Sequence, residues 1–152
     1  MLHKATIAGI TMDPATNTPI IILKTEEGGQ AVPIWIGLLE ATSIASALQN
    51  VKFDRPMTHD LLKNFASLLE ISVSSIEVCD LKDNTFFARV NFLGKDSNFS
   101  MDARPSDAIA IGLRYEAPLF VREAVFERSV EGQMGEGPGK EVRSLPPRNR
   151  LE

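Results

Sequence analysis

The chain has few of the residues from which familiar binding and catalytic sites are built. Its 152 residues include one cysteine and two histidines. A single cysteine, Cys79, excludes an internal disulfide and indicates a reducing compartment. Neither it nor His3 and His59 has the spacing of a zinc site, and no glycine pattern matches a dinucleotide-binding or phosphate-binding loop. The sequence thus excludes disulfide-rich, zinc-binding and common nucleotide-binding classes.

Long apolar runs and an excess of basic charge are also absent. No stretch approaches the length needed to cross a bilayer, and the first residues lack the apolar block of a signal peptide. We therefore expect a cytoplasmic protein with no membrane partner. Acidic residues outnumber basic ones, 20 to 16, so bulk charge does not favour nucleic acid. Any phosphate-handling role must rest on a few local residues.

The patterning that is present predicts a single α+β domain. A loose alternation, a β-branched run and a hairpin signal predict strands at residues 3–12, 20–23, 31–36, 73–81, 85–93, 99–102 and 118–121. Helical spacing predicts helices at residues 38–50, 58–70 and 105–114, with one further turn at 122–127. We expect a mixed, largely antiparallel sheet with about three helices packed against it.

The composition changes near residue 128. From there the chain has many glycines and prolines and few apolar residues, which is typical of a disordered tail. We therefore predict a folded domain over residues 1–127 and a disordered tail over residues 128–152. The final Leu151 and Glu152 are typical of a cloning remnant.

Two segments share an unusual helix-start pattern. Each has an Arg-Pro pair, then a hydroxyl residue, an aspartate and an apolar run; they are residues 55–62 (RPMTHDLL) and 104–109 (RPSDAI). Proline suits the first helical turn, and an acid there favours the helix dipole; Thr58 is the expected N-cap of the second helix. Each segment places a guanidinium, free backbone N–H groups and a carboxylate at one spot. That combination is suited to a phosphate or a metal ion.

These segments supply the candidate site residues. Carboxylates from different elements would hold a divalent cation, Mg²⁺ or Mn²⁺, which phosphodiester hydrolysis uses to polarise phosphate and generate hydroxide; the candidate ligands are Glu40, Asp60 and Asp107. Arg55 and Arg104 are the candidate substrate-binding residues, because arginine stabilises developing phosphate charge. The candidate catalytic residues are His59, as proton carrier, with Asp60 and Asp107.

Each candidate also has a structural interpretation. Asp60 and Asp107 stand where acids cap helix starts. An ordinary hydrogen bond or ion pair explains the other candidates equally well: Glu40, Arg55, His59 and Arg104. Capping and metal binding call for the same residue types, so the residues alone leave both interpretations open.

The combination of motifs resembles the bifunctional nuclease domain family. The segments that carry the resemblance are residues 33–37 (PIWIG), Glu40 and Ala41, residues 55–61, residues 86–88 (FFA) and residues 102–110 (DARPSDAIA). The resemblance runs from about His3 to Val125. It implies a compact α+β fold and a nuclease activity on DNA and RNA, as in some plant members. The six candidate residues all stand on these segments, although the resemblance assigns them no roles.

Two functional hypotheses follow. The first is a metal-assisted nuclease whose substrate is DNA, RNA or both. The second is a non-enzymatic, homo-oligomeric binding or regulatory module in which the Arg/Asp segments are scaffold. In either case we expect a homo-oligomer, most simply a dimer, joined through exposed strand edges of the first three strands.

Overall fold

Seven strands and four helices form the described part of the chain, which is residues 1–135 of a computed structural model, with side chains described as far as residue 131. The strands are β1 (Leu2–Asp13), β2 (Thr18–Thr25), β3 (Ala31–Trp35), β4 (Ser72–Lys82), β5 (Thr85–Leu93), β6 (Asn98–Ala103) and β7 (Leu119–Arg122). The helices are α1 (Leu38–Leu48), α2 (Thr58–Leu68), α3 (Pro105–Arg114) and α4 (Glu123–Gly135).

All seven strands belong to one open sheet in the order β3-β2-β1-β7-β4-β5-β6. Neighbouring strands are antiparallel except β4 and β7, which are parallel. The short β7 joins two antiparallel halves, because Val121 lies opposite His3 of β1 and Val78 of β4. The prediction of an α+β fold with a mixed, largely antiparallel sheet is confirmed.

The third helix is the most deeply buried and carries the centre of the helical layer. Its residues from Pro105 to Gly112 are buried, with the single exception of Asp107. A Cβ at Gly112 would come within 2.7 Å of Cδ1 of Ile76 in β4, so the glycine lets α3 lie close on the sheet. On its other sides α3 packs against α1 and α2. The start of α3 is thereby fixed near the starts of the two other helices.

Most predicted boundaries agree with the structure within two residues, but two helix ends differ. Met57, not Thr58, is the N-cap of α2, and its backbone N–H donates to Asp60 Oδ2 at 3.1 Å. The predicted turn at 122–127 is the start of α4, which continues to Gly135; Val125 and Phe126, in the first turn of this helix, are buried in the core. The predicted domain boundary thus falls within α4, and residues 136–152 of the predicted tail lie outside the described residues.

The apolar face of α2 is exposed. Leu61, Phe65 and Leu68 are 59%, 60% and 83% exposed, and Ala66 is the buried residue of this helix. The helix packs on α3 through its polar side, so the sequence pattern that usually marks a core-facing helix here marks a surface. Within residues 1–135, no helix is both long and apolar enough to span a membrane.

Candidate functional site

A line of five polar side chains joins the three helices where α2 and α3 begin. Arg104 donates from Nη1 to Glu40 Oε1 at 3.0 Å and from Nε to Asp107 Oδ2 at 2.9 Å. The other carboxylate oxygen of Asp107 lies 2.9 Å from His59 Nε2, and His59 Nδ1 lies 2.7 Å from Ser43 Oγ. We refer to Glu40, Ser43, His59, Arg104 and Asp107 as the helix-junction cluster.

Local sequence explains how each helix contributes. Glu40 and Ser43 are three residues apart on α1 and therefore share a face. A Cβ at Gly37 would overlap the Glu40 carboxylate, so the glycine before α1 leaves room for it. Pro105 begins α3, which places Asp107 in the first turn. The helix starts predicted from the sequence therefore meet at one place.

Hydrogen bonding fixes the proton on the His59 ring. An ionised carboxylate only accepts hydrogen bonds, so His59 Nε2 carries the proton that is donated to Asp107. With the proton on Nε2, Nδ1 of the neutral form of the ring is the atom that accepts from the Ser43 hydroxyl. Hydrogen bonds from His59 and then Arg104 hold the pKa of Asp107 below its usual value, although partial burial acts in the opposite direction. Asp107 is thus an ionised partner of His59 at neutral pH.

Exposure varies along the cluster. The side chain of Arg104 is 64% exposed, whereas those of Asp107 and His59 are 30% and 12% exposed. The guanidinium thus lies at the solvent edge and the imidazole lies inside. The bonds to Asp107 and Glu40 raise the pKa of Arg104 above its usual value, so it stays charged. A ligand that reaches this site meets Arg104 first.

A second ion pair lies beside the cluster. Arg114 donates from Nε to Asp60 Oδ1 at 2.6 Å and from Nη1 to the carbonyl oxygen of Ala110 at 2.8 Å, and its side chain is 8% exposed. Burial raises the pKa of Asp60, but bonds from Arg114 and from the Met57 N–H outweigh it, so the net shift is downward. Asp60 therefore caps its helix and holds Arg114, and it contacts no member of the helix-junction cluster by a side-chain bond among the described residues.

The structure brings together four of the six predicted site residues. Glu40, His59, Arg104 and Asp107 are in the cluster, Asp60 is in the neighbouring pair, and Arg55 lies exposed in the loop before α2. Sequence reasoning missed Ser43 and Arg114. The i, i+3 spacing of Ser43 from Glu40 was an available signal for the first. Arg114, seven residues after Asp107 on the same helix, offered a similar signal.

The predicted metal ligands do not assemble into a metal-binding set. Glu40 and Asp107 are bridged by Arg104, and Asp60 is paired with Arg114. A cation would therefore have to displace guanidinium groups that already neutralise these carboxylates. Among the side chains described, no three of His, Cys, Asp and Glu converge to hold an ion. The donor set does not fit a divalent metal, and binding of Mg²⁺ or Mn²⁺ stays a prediction for experiment.

Comparison with known proteins gives the family of these residues. The bifunctional nuclease domain matches residues 21–132, which include both the cluster and the Asp60–Arg114 pair. An uncharacterized protein of Mycobacterium tuberculosis is 38% identical over 123 residues, 81% of this chain and 73% of that protein. Bifunctional nuclease 1 of Arabidopsis thaliana is 32% identical over 110 residues, 69% of this chain and 34% of the plant protein. The chain therefore spans about a third of the plant relative.

Proposed function

The chain belongs to the bifunctional nuclease domain family, and from this we propose that it hydrolyses phosphodiester bonds of DNA or RNA at the helix-junction cluster. The observation that carries the proposal is the line Arg104–Asp107–His59, which combines an exposed cation with a carboxylate-oriented base. The name of the plant relative, a bifunctional nuclease, supports the substrate class. We also propose, from the sequence alone, that the protein is cytoplasmic.

Arg104 is the group that binds phosphate. It uses two N–H groups to hold Asp107 and Glu40 and is fixed in orientation by them. A guanidinium has five N–H donors, so further donors stay available on its exposed side. Its two carboxylate partners offset its charge, so Arg104 would hold a phosphate through directed N–H donors and not through a surplus of positive charge. The phosphodiester is therefore held at the solvent edge of the cluster.

His59 is the proton carrier, and its accepting atom is Nδ1. Asp107 occupies the Nε2 side, which fixes the neutral tautomer and stabilises the imidazolium that forms when Nδ1 takes a proton. General base catalysis of this kind contributes on the order of 10²–10⁴-fold to a rate. Asp107 acts through His59 and is a positioning residue.

A cleavage assay tests the proposal. Labelled single-stranded DNA and RNA are incubated with the wild-type chain, with His59→Gln and with the matched control His3→Gln, whose residue lies on β1 away from the cluster. We expect His59→Gln to lower cleavage about 100-fold or more and His3→Gln to leave it unchanged. Full cleavage by a folded His59→Gln chain would contradict the assignment.

A chelator arm in the same assay separates hydrolysis from the metal prediction. If EDTA abolishes cleavage and Mg²⁺ or Mn²⁺ restores it, the metal prediction is supported and Glu40 or Asp107 must exchange Arg104 for the ion. If cleavage persists in EDTA, the cluster works without a metal.

We propose that the homo-oligomer expected from the sequence forms its interface through α2 and not through strand edges. Five side chains form a stripe about 120° wide on that helix by helical geometry, all 41% exposed or more: Leu61, Leu62, Phe65, Leu68 and Leu69. The charged side chains of the helix are used within the chain, since Asp60 pairs with Arg114 and Lys63 Nζ donates to the Arg114 carbonyl oxygen at 2.6 Å. An uncharged stripe complements an identical one, so we infer that a second copy covers it in a twofold dimer.

Sedimentation of two variants tests the dimer. Leu68→Lys places a charge in the stripe, and Val130→Lys places one on an exposed residue of α4. We expect the wild type and Val130→Lys to sediment as dimers and Leu68→Lys as a monomer. A wild-type chain that is monomeric at tens of micromolar would refute the dimer, and a dimeric Leu68→Lys would refute its location.

A further inference from the structure

We propose that Ser43 is the nucleophile of the helix-junction cluster and forms a covalent phosphoserine intermediate. The inference rests on the hydrolysis proposed above and names the atom that attacks. It follows from the contact of the accepting nitrogen: the group hydrogen-bonded to His59 Nδ1 is the Ser43 hydroxyl, at 2.7 Å.

The three side chains have the geometry of a serine nucleophile, its base and the group that orients the base. Ser43 Oγ lies within hydrogen-bonding distance of one ring nitrogen, and Asp107 Oδ1 holds the other at 2.9 Å. Such arrangements are recognised by distances and roles rather than by sequence order. The roles of the two ring nitrogens are exchanged relative to the usual serine hydrolase arrangement, in which the acid bonds to Nδ1 and the serine bonds to Nε2.

The direction of the Ser43 hydroxyl is unusual for its helix. Serine and threonine within helices commonly donate to a carbonyl oxygen three or four residues earlier. Thr42, Ser46 and Ser67 do so in this chain, at 2.8–2.9 Å. Ser43 instead points across to an imidazole on another helix.

The reaction balances with water as the only co-reactant. Ser43 Oγ attacks phosphorus while its proton passes to His59 Nδ1, and Arg104 holds the charge that develops on the phosphoryl oxygens. The bond from phosphorus to the leaving nucleotide oxygen breaks, and that oxygen takes the proton from Nδ1. Water then attacks the phosphoserine, gives a proton to Nδ1, and releases Ser43, which recovers the proton.

A fluorophosphonate probe tests the nucleophile without any nucleic acid. The full chain is treated with the probe and the labelled residue is located by peptide mass spectrometry in wild type, Ser43→Ala and His59→Gln. We expect labelling at Ser43 that exceeds labelling at Ser46 and Ser67 at least tenfold and that falls at least tenfold in His59→Gln. Equal labelling of Ser43 in His59→Gln, or no labelling of Ser43 in the folded wild type, would overturn the proposal.

Turnover experiments keep this inference separate from the proposed function. Acid quenching of wild type with ³²P-labelled oligonucleotide should trap label on the protein, and Ser43→Ala should lower kcat at least 100-fold with a smaller change in KM. Wild-type cleavage by a folded Ser43→Ala chain would overturn the nucleophile and leave the nuclease intact. Probe labelling of Ser43 without cleavage of either nucleic acid would support the nucleophile and refute the substrate.

Discussion

At the scale of a single residue, Arg114 links the three helices α1, α2 and α3. It belongs to α3, pairs with Asp60 of α2, and its Nη1 and Nη2 lie 3.4 Å from the carbonyl oxygen of Ser43 in α1. The Arg114 side chain is 8% exposed and that of Asp60 is 35% exposed, so these contacts are partly shielded from water. The positions of Ser43 and His59 therefore depend on a residue that lies outside the helix-junction cluster.

We expect Arg114→Met to lower the free energy of unfolding by about 2–3 kcal/mol. Methionine keeps much of the apolar stem but leaves the Asp60 carboxylate without its partner. Arg122→Met is the matched control, since its pair with Glu77 has an arginine that is 52% exposed and should cost less than about 1 kcal/mol. Urea unfolding of the two variants measures the difference, and equal losses would contradict the role of Arg114.

The pH dependence of stability tests the ionisation of Asp107. Its folded pKa lies below the usual 3.8, so the unfolded chain binds the proton more readily. The stabilisation is then present above the unfolded pKa and is lost as pH falls through the folded value. We expect Asp107→Asn to cost about 1–2 kcal/mol at pH 7 and the difference from wild type to shrink below about pH 4.

Urea unfolding across a pH series checks this expectation. Ser106→Ala is the control, because Ser106 is buried next to Asp107 and does not titrate in this range. Its difference from wild type should stay constant from pH 7 to pH 3. A constant difference for Asp107→Asn as well would mean that Asp107 is not held ionised by His59 and Arg104.

At the scale of elements, the close packing of α3 on the sheet depends on Gly112. A Cβ there would approach Ile76 Cδ1 to 2.7 Å and Cγ2 to 3.1 Å. We expect Gly112→Ala to destabilise the chain by about 1–2 kcal/mol, because overpacking outweighs the better helix propensity of alanine. In an Ile76→Val background the nearest atom is gone, and the cost should fall by about half. Strictly additive effects in this double-mutant cycle would contradict the contact.

Helices and strands with a regular spacing of apolar residues could be predicted from the sequence. The Arg-Pro-Ser-Asp start and the apolar spacing gave α3 its correct bounds, Pro105–Arg114. The apolar spacing predicted α2 equally well, but it did not show what the apolar face of this helix contacts. In the structure that face is exposed. Periodicity records that a face avoids water, whereas the choice between core and partner belongs to the tertiary structure.

The candidate site could be predicted only in part, because the sequence does not show how side chains from different elements come together. Glu40, His59, Arg104 and Asp107 come together because their helices start at one place, and their catalytic roles stay predictions. Arg55 shares the motif of Arg104 but lies exposed in the loop before α2. A motif fixes the local helix start, and the crossing of helices decides what the side chain reaches.

At the scale of the whole molecule, the last strand holds the sheet together. Sequence order predicts the meander β1–β3 and the hairpin β4–β5, whose partners are close along the chain. It does not predict that β7 enters between β1 and β4, because those contacts join residues more than 40 positions apart. Without β7 the sheet would be two three-stranded halves, each with a newly exposed edge.

Two truncations test how far the folded unit extends. We expect a chain ending at Gly135 to keep a cooperative thermal transition within about 2 °C of the full chain, because the residues it removes are rich in glycine and proline and poor in apolar side chains. A chain ending at Tyr115 loses β7 together with Val125 and Phe126, which are buried in the core. Calorimetry should show no cooperative transition for it, since the strand that joins the two halves of the sheet is then missing. A cooperative transition in the chain ending at Tyr115 would show that β7 is an addition to a sheet that is already stable, and the two halves would then have to pair directly.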